Sequence, residues 1–352
     1  MVEQSSGLHT FSVGMSMTAQ QYYRTREHTL ALQQCGSDYW SEKERYISYA
    51  FENKGIVIYL SKFPGRNGAI YRLKVRIEPC RVLGSDDPTA LYQPTKKSYM
   101  KLVKTVDKLL KKCCLPCSVD EMKVSRADLT VDMHLESDAL VHAYIRFLKK
   151  GWRMCHYEHD KFRENEKKAK DPQTANQYSC RLKCKAASFT AYDKIAQLKM
   201  VGRYTSALDG QCILRLEANL GRDARKKRIG KQPDVFHDLR ASAKKADKVL
   251  NWYIKRILRN CTGAHLRYED AVEQVQSAHL KSKTKDRMLC LLRKTSDSKS
   301  LSAAMEKTQI AFGLSKPQIE RVFWKLNKLG ISPLTLRNDA KMETIEALSR
   351  IM

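Results

Sequence analysis

The sequence predicts an α+β protein in which a mixed or antiparallel sheet carries helices on one face and precedes a helical C-terminal domain. Several segments between residues 55 and 220 alternate apolar and polar side chains with period 2, and helical patterns interrupt them. From about residue 234 onward the pattern is helical. The expected units are a polar N-terminal segment without a convincing periodic element (1–40), in which residues 20–34 could form a helix, then two sheet-forming halves (41–120 and 121–232) and a helical domain (233–352).

The overall charge indicates a polyanionic partner. The 352 residues are 42% hydrophobic and 29% charged, which is typical of a globular protein, and their formal net charge is +27. Nucleic acid is the first candidate partner and an anionic membrane surface the second. The sequence has no apolar stretch long enough for a transmembrane helix and does not begin like a signal peptide, so we expect a cytoplasmic protein without a membrane partner.

Eleven cysteines stand at irregular positions, which favours reduced thiols over a disulfide framework. Buried thiols that act as small hydrophobic side chains are the expected role. A zinc site is the alternative, because two clusters have spacings that resemble those of metal ligands. These clusters are Cys113, Cys114 and Cys117, and then Cys180 and Cys184.

The first sheet half contains a predicted hairpin and a helix. Residues 55–63 and 69–79 read as strands joined by a turn rich in glycine and proline, and residues 97–112 have an apolar stripe at helical spacing. One face of the second strand carries Arg72, Lys74 and Arg76. This row of cations suits a phosphate backbone, and a solvated face without a ligand is the alternative.

Residues 124–135 are the strand around which the second half is organised. Its apolar face is continuous, which predicts a strand with one buried side. The other face carries, in order, Arg126, Asp128, Thr130, Asp132 and His134. Such a row can share a divalent cation or support acid–base chemistry, and an exposed edge face without function is the alternative.

A helix and three strands follow. Ser137 is the expected N-cap and Gly151 the end of a helix over residues 138–150. The polar stretch 156–175 is expected to be an exposed loop or insertion. Strands are then predicted at 177–183, 187–194 and 212–220.

Three carboxylates on these strands form the predicted metal site. Asp128, Asp132 and Glu217 are expected to bind Mg²⁺ or Mn²⁺, because carboxylate oxygens are suitable ligands for hard cations. A cation bound there can polarise a phosphodiester and offset the charge that builds on its oxygens.

A tyrosine on the neighbouring strand is the predicted nucleophile. Tyr192 would attack phosphorus, and Lys194 on the same strand face would lower the pKa of the phenol or bind the phosphate. Arg215 and Arg126 would bind flanking phosphates. The alternative is a packing role, since the chain has 16 tyrosines.

Further basic groups lie in the last third of the chain. A basic run that we interpret as a solvated, phosphate-binding linker contains Arg225, Lys226, Lys227 and Arg228. Nearer the C-terminus, Ser315 caps a predicted helix that ends at Gly330, and the segment before it supplies the short helix and turn of a helix-turn-helix. Arg321 and Lys325 would face DNA, and an ordinary helical bundle is the alternative.

Three short motifs, in their order, resemble the Rep_trans-type initiators of rolling-circle replication, which include filamentous-phage gene II/X-type replication proteins. The motifs are R-x-D-L-x-x-D from Arg126, Y-D-K from Tyr192 and L-R-L-E from Leu214. The segment from Arg76, with the helix after it, resembles the N-terminal half of the family. The resemblance covers roughly residues 50–225.

This resemblance implies two related sheet halves and a metal-dependent enzyme that nicks one DNA strand at an origin. Tyr192 would become linked to the 5′ phosphate, and Tyr178 or Tyr204 would be the alternative nucleophile. The three carboxylates would bind the metal. DNA, as origin duplex and as single strand, is the expected partner; a host polymerase would extend the 3′ hydroxyl, and recruitment of a host helicase stays open. A relaxase with the same chemistry and a non-catalytic DNA-binding regulator are the alternatives.

Overall fold

The computed structural model describes residues 2–32, 45–66, 68–115, 117–159 and 178–352. Within these ranges, nine strands form one antiparallel sheet, which confirms the predicted α+β class. The strands are β1 (Glu3–Met17), β2 (Arg45–Ser48), β3 (Ile56–Gly65), β4 (Gly68–Ile77), β5 (Lys123–Leu135), β6 (Glu158–His159), β7 (Ser179–Lys183), β8 (Ala187–Asp193) and β9 (Cys212–Gly221). Their order across the sheet is β2-β3-β4-β1-β5-β9-β8-β7-β6.

The main core lies between the apolar face of the sheet and several helices, because alternation turns the apolar side chains of the strands to that face. The helices are α1 (Ala19–Leu32), α2 (Pro79–Val82), α3 (Lys96–Lys112), α4 (Asp138–Lys150), α5 (Lys194–Met200), α6 (Arg222–Ile229), α7 (Val235–Lys244), α8 (Ala246–Ile257), α9 (Tyr268–Ser277), α10 (Ser282–Asp297), α11 (Leu301–Ala311), α12 (Lys316–Lys328) and α13 (Leu348–Ile351). The main core joins α3, α4, α7 and α8 to the sheet. No helix in the described ranges is both long and apolar enough to cross a lipid bilayer.

The sheet consists of two halves with the same connections. The first half runs β1-α1-β2-β3-β4 and the second β5-α4-β7-β8-β9, with the two-residue β6 before β7. Within the sheet the halves are ordered β1-β4-β3-β2 and β5-β9-β8-β7, and β1 pairs with β5 in antiparallel orientation. This arrangement relates the halves by an approximate twofold axis between β1 and β5.

The prediction that the N-terminal segment has no convincing periodic element is wrong, because β1 lies at the centre of the sheet between β4 and β5. Its apolar face includes Leu8, Phe11 and Val13, all of which are fully buried. A bulge between Leu8 and Phe11 inserts one extra residue against β5. The bulge breaks the period of 2 in the sequence, so the alternation that identified the other strands is hidden here. The first half therefore begins near residue 3 and not at residue 41.

The capping residues of the predicted helices are confirmed. The Ser137 hydroxyl accepts a hydrogen bond from the Leu140 amide, and Gly151 ends α4. The Ser315 and Gln318 side chains form a capping box at the start of α12. Most of the predicted loop at 156–175 lies outside the described residues.

The C-terminal domain begins later than predicted. Helices α7 and α8 pack on the sheet and belong to the main core, so the boundary near residue 233 is too early. A second core occupies residues from Cys261 to Ile331 and joins α9, α10, α11 and α12. The chain then returns to the main core through β11 (Thr344–Ile345), which pairs with β10 (His265–Leu266), and α13. The order α11, turn, α12 agrees with the predicted short helix, turn and second helix, and these helices pack in one core with α9 and α10, as in the alternative of a helical bundle.

Candidate functional site

The register of three adjacent strands collects the polar side chains on the sheet face opposite the main helices. Arg215 of β9 lies between Asp132 of β5 and Tyr192 of β8. Glu217 follows two residues later on the same face of β9. Because the side-chain period of a strand is 2, this register alone places residues from distant parts of the sequence side by side.

A chain of contacts connects a phenol, a carboxylate and an imidazole. The Tyr192 hydroxyl donates a hydrogen bond of 2.8 Å to Glu217 Oε1, and His9 Nδ1 lies 3.3 Å from the same oxygen. His9 belongs to the bulge of β1, which turns its side chain towards β9 across β5. The side chains of Glu217 and His9 remain 19% and 31% exposed, so solvent and ligands can reach this cluster.

Burial and neighbouring charges shift the pKa values of this cluster in opposite directions. Burial alone would raise the pKa of Glu217, but the hydrogen bond and charge of His9, with Arg215 and Tyr192, lower it to about 2. The pKa of Tyr192 is raised well above its ordinary value by burial and by the negative charge of Glu217. At neutral pH Glu217 is therefore an ionised hydrogen-bond acceptor that orients a neutral phenol, and it is a weak base.

A cavity of about 280 Å³ lies over Tyr192. Both cations and hydrogen-bonding groups line it, and they include Arg126, Arg181, Thr190, Glu217 and Asn219. Its size is at the lower limit of small-molecule sites and suits a phosphodiester with part of its nucleotide. The Tyr192 hydroxyl thus lies at the wall of a polar cavity with cations around it.

Arg215 is buried and does not reach this cavity, contrary to the prediction that it binds phosphate. Its Nε and one terminal nitrogen each donate a hydrogen bond of 2.6 Å to the Asp132 carboxylate. The same terminal nitrogen donates to the Thr89 carbonyl oxygen at 2.8 Å, and both side chains are at most 1% exposed. The charge of Asp132 raises the pKa of Arg215 although burial opposes it. This ion pair joins β5 to β9 and lies beneath the segment around Thr89.

The three predicted metal ligands do not form an open ligand set. Arg126 binds both oxygens of Asp128 at 2.8 and 2.7 Å, and the Thr10 hydroxyl donates to one of them. Asp132 is bound by Arg215, which leaves Glu217 as the one of the three that lines the cavity; Asp193, which contacts His142, lines it as well. Nowhere in the described ranges do three or more His, Cys, Asp or Glu side chains form a group that could hold a metal ion. As arranged, these donors do not fit a cation bound by three carboxylates.

Lys194 begins α5 and does not share the strand face of Tyr192, because β8 ends at Asp193, which caps the helix. The Lys194 side chain is 3% exposed, and its Nζ donates to Gln197 Oε1 at 3.0 Å. Burial and the nearby charge of Arg215 lower the pKa of Lys194 to about 7. It is therefore the cation near the site whose charge changes close to neutral pH.

The predicted nucleic-acid-binding residues divide into buried and exposed groups. Arg225 is buried and does not face solvent. It donates a hydrogen bond of 2.7 Å to Asp238 of α7 and another to the Val124 carbonyl oxygen of β5, and so joins α6 to both elements. The predicted basic linker is thus helix α6. The other residues remain at the surface: Lys226 and Lys227 on α6, Arg228 over the Trp252 ring, Arg72, Lys74 and Arg76 on β4, and Arg321 and Lys325 on α12.

The alternative tyrosines and the cysteines have distinct positions. Tyr178 lines the same cavity as Tyr192, and the centre of its ring lies 4.8 Å from that of the His142 ring. Tyr204 does not line this cavity, and its hydroxyl donates a hydrogen bond to Asp209. The ten described cysteines are free thiols, consistent with reduced side chains.

His9 was missed because its strand was not predicted. The sequence does contain a signal for this bulged strand, which is the three-residue step from Leu8 to Phe11 in an otherwise alternating segment.

No protein-family model matches the chain, and no curated protein matches it. What the motif resemblance implies about function therefore stays a prediction.

Replacing one partner of the Asp132–Arg215 pair is expected to destabilise the protein strongly. Asp132→Asn leaves the Arg215 charge buried without compensation, which should lower the free energy of unfolding by about 3–5 kcal/mol. Urea denaturation measures this loss. Asp223→Asn, in the exposed Arg222–Asp223 pair, is the matched control and should change stability little. A loss below about 1 kcal/mol for Asp132→Asn would contradict the structural role of the pair.

Burial of Lys194 predicts a particular dependence of stability on pH. In the folded protein its pKa is about 7, against 10.5 for the free side chain. Between these values the unfolded chain binds the proton that the folded chain has released, so the free energy of unfolding should rise with pH. Lys194→Met should be more stable than wild type near pH 7, and the difference should shrink towards pH 10. Urea denaturation across this range tests it, with the exposed Lys199→Met as control; parallel curves for Lys194→Met and wild type would contradict the shift.

Proposed function

We propose that this protein cleaves one strand of DNA with Tyr192 as the nucleophile, in the manner of an initiator of rolling-circle replication. The observation that carries the proposal is the position of the Tyr192 hydroxyl, which is oriented by Glu217 at the wall of a cavity lined by cations. Tyr192 Oη would attack phosphorus while the bond from phosphorus to the 3′ oxygen breaks. The products are a 5′-phosphotyrosyl link and a free 3′ hydroxyl.

The surrounding groups have separate roles in this reaction. Arg126 and Arg181 line the cavity, where their charges would bind the scissile phosphate and offset the charge that develops on its oxygens. Glu217 orients the phenol. The phenol proton would leave through the hydrogen bond to Glu217 and the solvent that reaches this cluster, and the departing 3′ oxygen would take a proton from solvent. Asp132 and Arg215 act as positioning residues that fix β5 against β9.

The C-terminal helix-turn-helix would supply duplex recognition. Helix α12 buries one side in the second core, while Arg321, Lys325 and Lys328 are exposed on the other. Trp324 is 37% exposed between them. A basic helix face of this size can contact the phosphates and base edges of a major groove. The strand to be cut would then be presented to the cavity from a bound origin.

One observation favours the alternative of a non-catalytic DNA-binding regulator. Two of the three carboxylates that suggested a metal site are bound by arginines, so their presence no longer requires catalysis. The regulator would still use the basic surface and α12. A relaxase would use the same chemistry as the initiator. The adduct experiment separates the regulator from both enzymes.

Replacing Tyr192 by phenylalanine is expected to abolish formation of a covalent protein–DNA adduct. A single-stranded oligonucleotide that contains the cut site, labelled on the 3′ side of the nick, should become attached to the wild-type protein and migrate with it on a denaturing gel. Tyr192→Phe removes the nucleophilic oxygen but retains the ring, so folding should be preserved. Tyr178→Phe, a tyrosine on the same cavity, is the matched control and should form the adduct. An adduct with Tyr192→Phe would exclude this residue as nucleophile.

Glu217→Gln keeps the size of the side chain but removes the charge that orients the phenol. It should slow adduct formation by about 10²-fold or more without abolishing DNA binding. The predicted requirement for Mg²⁺ or Mn²⁺ stays a prediction, and the same adduct reaction in the presence of EDTA measures it.

Exposed cations on α12 are expected to contribute to duplex binding through phosphates. Arg321→Ala combined with Lys325→Ala should weaken binding to origin duplex and reduce the dependence of log affinity on log salt by about two units of slope. Fluorescence anisotropy over a range of salt concentrations measures both quantities. Lys101→Ala combined with Lys108→Ala, which removes two exposed charges from α3, is the matched control. An unchanged slope for the α12 variant would contradict duplex contact by this helix.

A further inference from the structure

The polar face of the first sheet half carries aromatic rings beside its cations. Register places Tyr59 of β3 opposite Lys74 of β4, and Phe63 diagonal to Arg72 on the same face. The Lys74 ammonium lies 5.4 Å from the centre of the Tyr59 ring, and the Arg72 guanidinium lies 5.7 Å from that of Phe63. Both rings are half-buried, so each keeps part of its surface open to solvent.

These rings do not belong to the main core. The apolar side chains of β3 that enter the core are Ile56, Ile58 and Leu60, which alternate with the positions of Tyr59 and Phe63. An aromatic ring on the solvent side of a sheet gives up hydrophobic burial that the core side would have provided. Two such rings four residues apart, each with a cation, therefore need a reason other than packing.

This surface is continuous with the candidate site. Arg126 of β5 lies in register, across Ser12 of β1, with Arg76 of β4 and Val57 of β3, which is two residues from Tyr59 on the same face. Asp128, Glu217 and Tyr59 all influence the charge of Arg126. The path from Tyr192 thus runs across Arg126 to Tyr59 and Lys74, and from there along β3 to Phe63 and Arg72. The two rings lie roughly 13 Å apart along the strand, given a rise of about 3.3 Å per residue.

We propose that Tyr59 and Phe63, with Lys74 and Arg72, form a platform that binds single-stranded DNA on one side of the cleavage point. The bases would stack on the rings and the phosphates would contact the cations, a combination that recognises a single strand with little dependence on its sequence. A duplex would not bind in the same way, because its bases are already stacked on one another. The platform rests on the proposed function for its role, since it would hold the strand that Tyr192 cuts.

Removing the rings is expected to weaken single-strand binding selectively. The probe is a fluorescent oligothymidine of about 20 nucleotides, and its affinity is measured by anisotropy with the full chain. Tyr59→Leu combined with Phe63→Leu keeps apolar bulk but removes the stacking surface, so the affinity should fall about 5- to 100-fold. Affinity for a duplex of mixed sequence should change less than about twofold.

Two controls separate stacking from loss of structure. Tyr59→Phe combined with Phe63→Tyr retains both rings and should bind oligothymidine like wild type. Tyr23→Leu removes an exposed ring from α1, which packs on the other face of the sheet through Tyr22 and Tyr71, and should also bind normally. Equal oligothymidine affinity of wild type and the double leucine variant, with both proteins folded by circular dichroism, would overturn the platform.

The measurement also separates this inference from the proposed cleavage. Binding of oligothymidine requires no reaction, so a wild type that forms no covalent adduct but loses single-strand affinity on removal of the rings would support the platform and contradict the nuclease. If the wild type forms the adduct and the leucine variant binds oligothymidine with unchanged affinity, the result would support the nuclease and contradict the platform.

Discussion

The arrangement of the candidate site depends on the buried ion pair between Asp132 and Arg215. Taking both charges out of water is unfavourable, and two short hydrogen bonds with a third to the Thr89 carbonyl oxygen compensate for part of the lost hydration. The other terminal nitrogen of Arg215 has no hydrogen-bond partner among the described residues. The consequence is a fixed register between β5 and β9. A slip by one residue would turn Glu217 to the apolar face and place Leu216 in its position. The geometry that orients Tyr192 therefore follows from a pair that itself takes no part in the proposed reaction.

Strand periodicity predicted much of this fold, for a physical reason that also sets its limit. A strand with one buried face must alternate, so β3, β4, β5 and β9 could be located within a few residues. Alternation indicates which face a side chain occupies but not what lies across from it. A row of carboxylates beside arginines is compatible with a metal site and with ion pairs. Only the register between distant segments shows that Asp132 faces Arg215 and that Asp128 faces Thr10, whereas Arg126 contacts Asp128 from two residues away on the same strand.

The remaining differences arise where local irregularity or tertiary packing overrides the pattern. The bulge in β1 interrupts alternation and so hid a central strand together with His9, which contacts Glu217. At the end of β8, Asp193 caps a helix and withdraws Lys194 from the strand face. In α6, one arginine of a basic run is buried by Asp238 from the next helix. The burial of Arg225 is not encoded in the spacing of the basic run, because it depends on Asp238 in another helix. The bulge and the cap have only short local signals, which are the three-residue step from Leu8 to Phe11 and the position of Asp193 three residues before Ala196.

The charges of the sheet face explain how carboxylates and a polyanion can share one surface. An ionised carboxylate beside phosphate is repulsive unless a positive charge lies close to it. Each of the three carboxylates lies close to an arginine charge: Arg215 for Asp132 and for Glu217, and Arg126 for Asp128. The cations of β4 then add positive charge to a sheet face on which the carboxylate charges are already offset. In the proposed function, a DNA strand that crosses from the first half to the second would pass the cations of β4 and Arg126 before it reaches Glu217, which is hydrogen-bonded to the Tyr192 phenol.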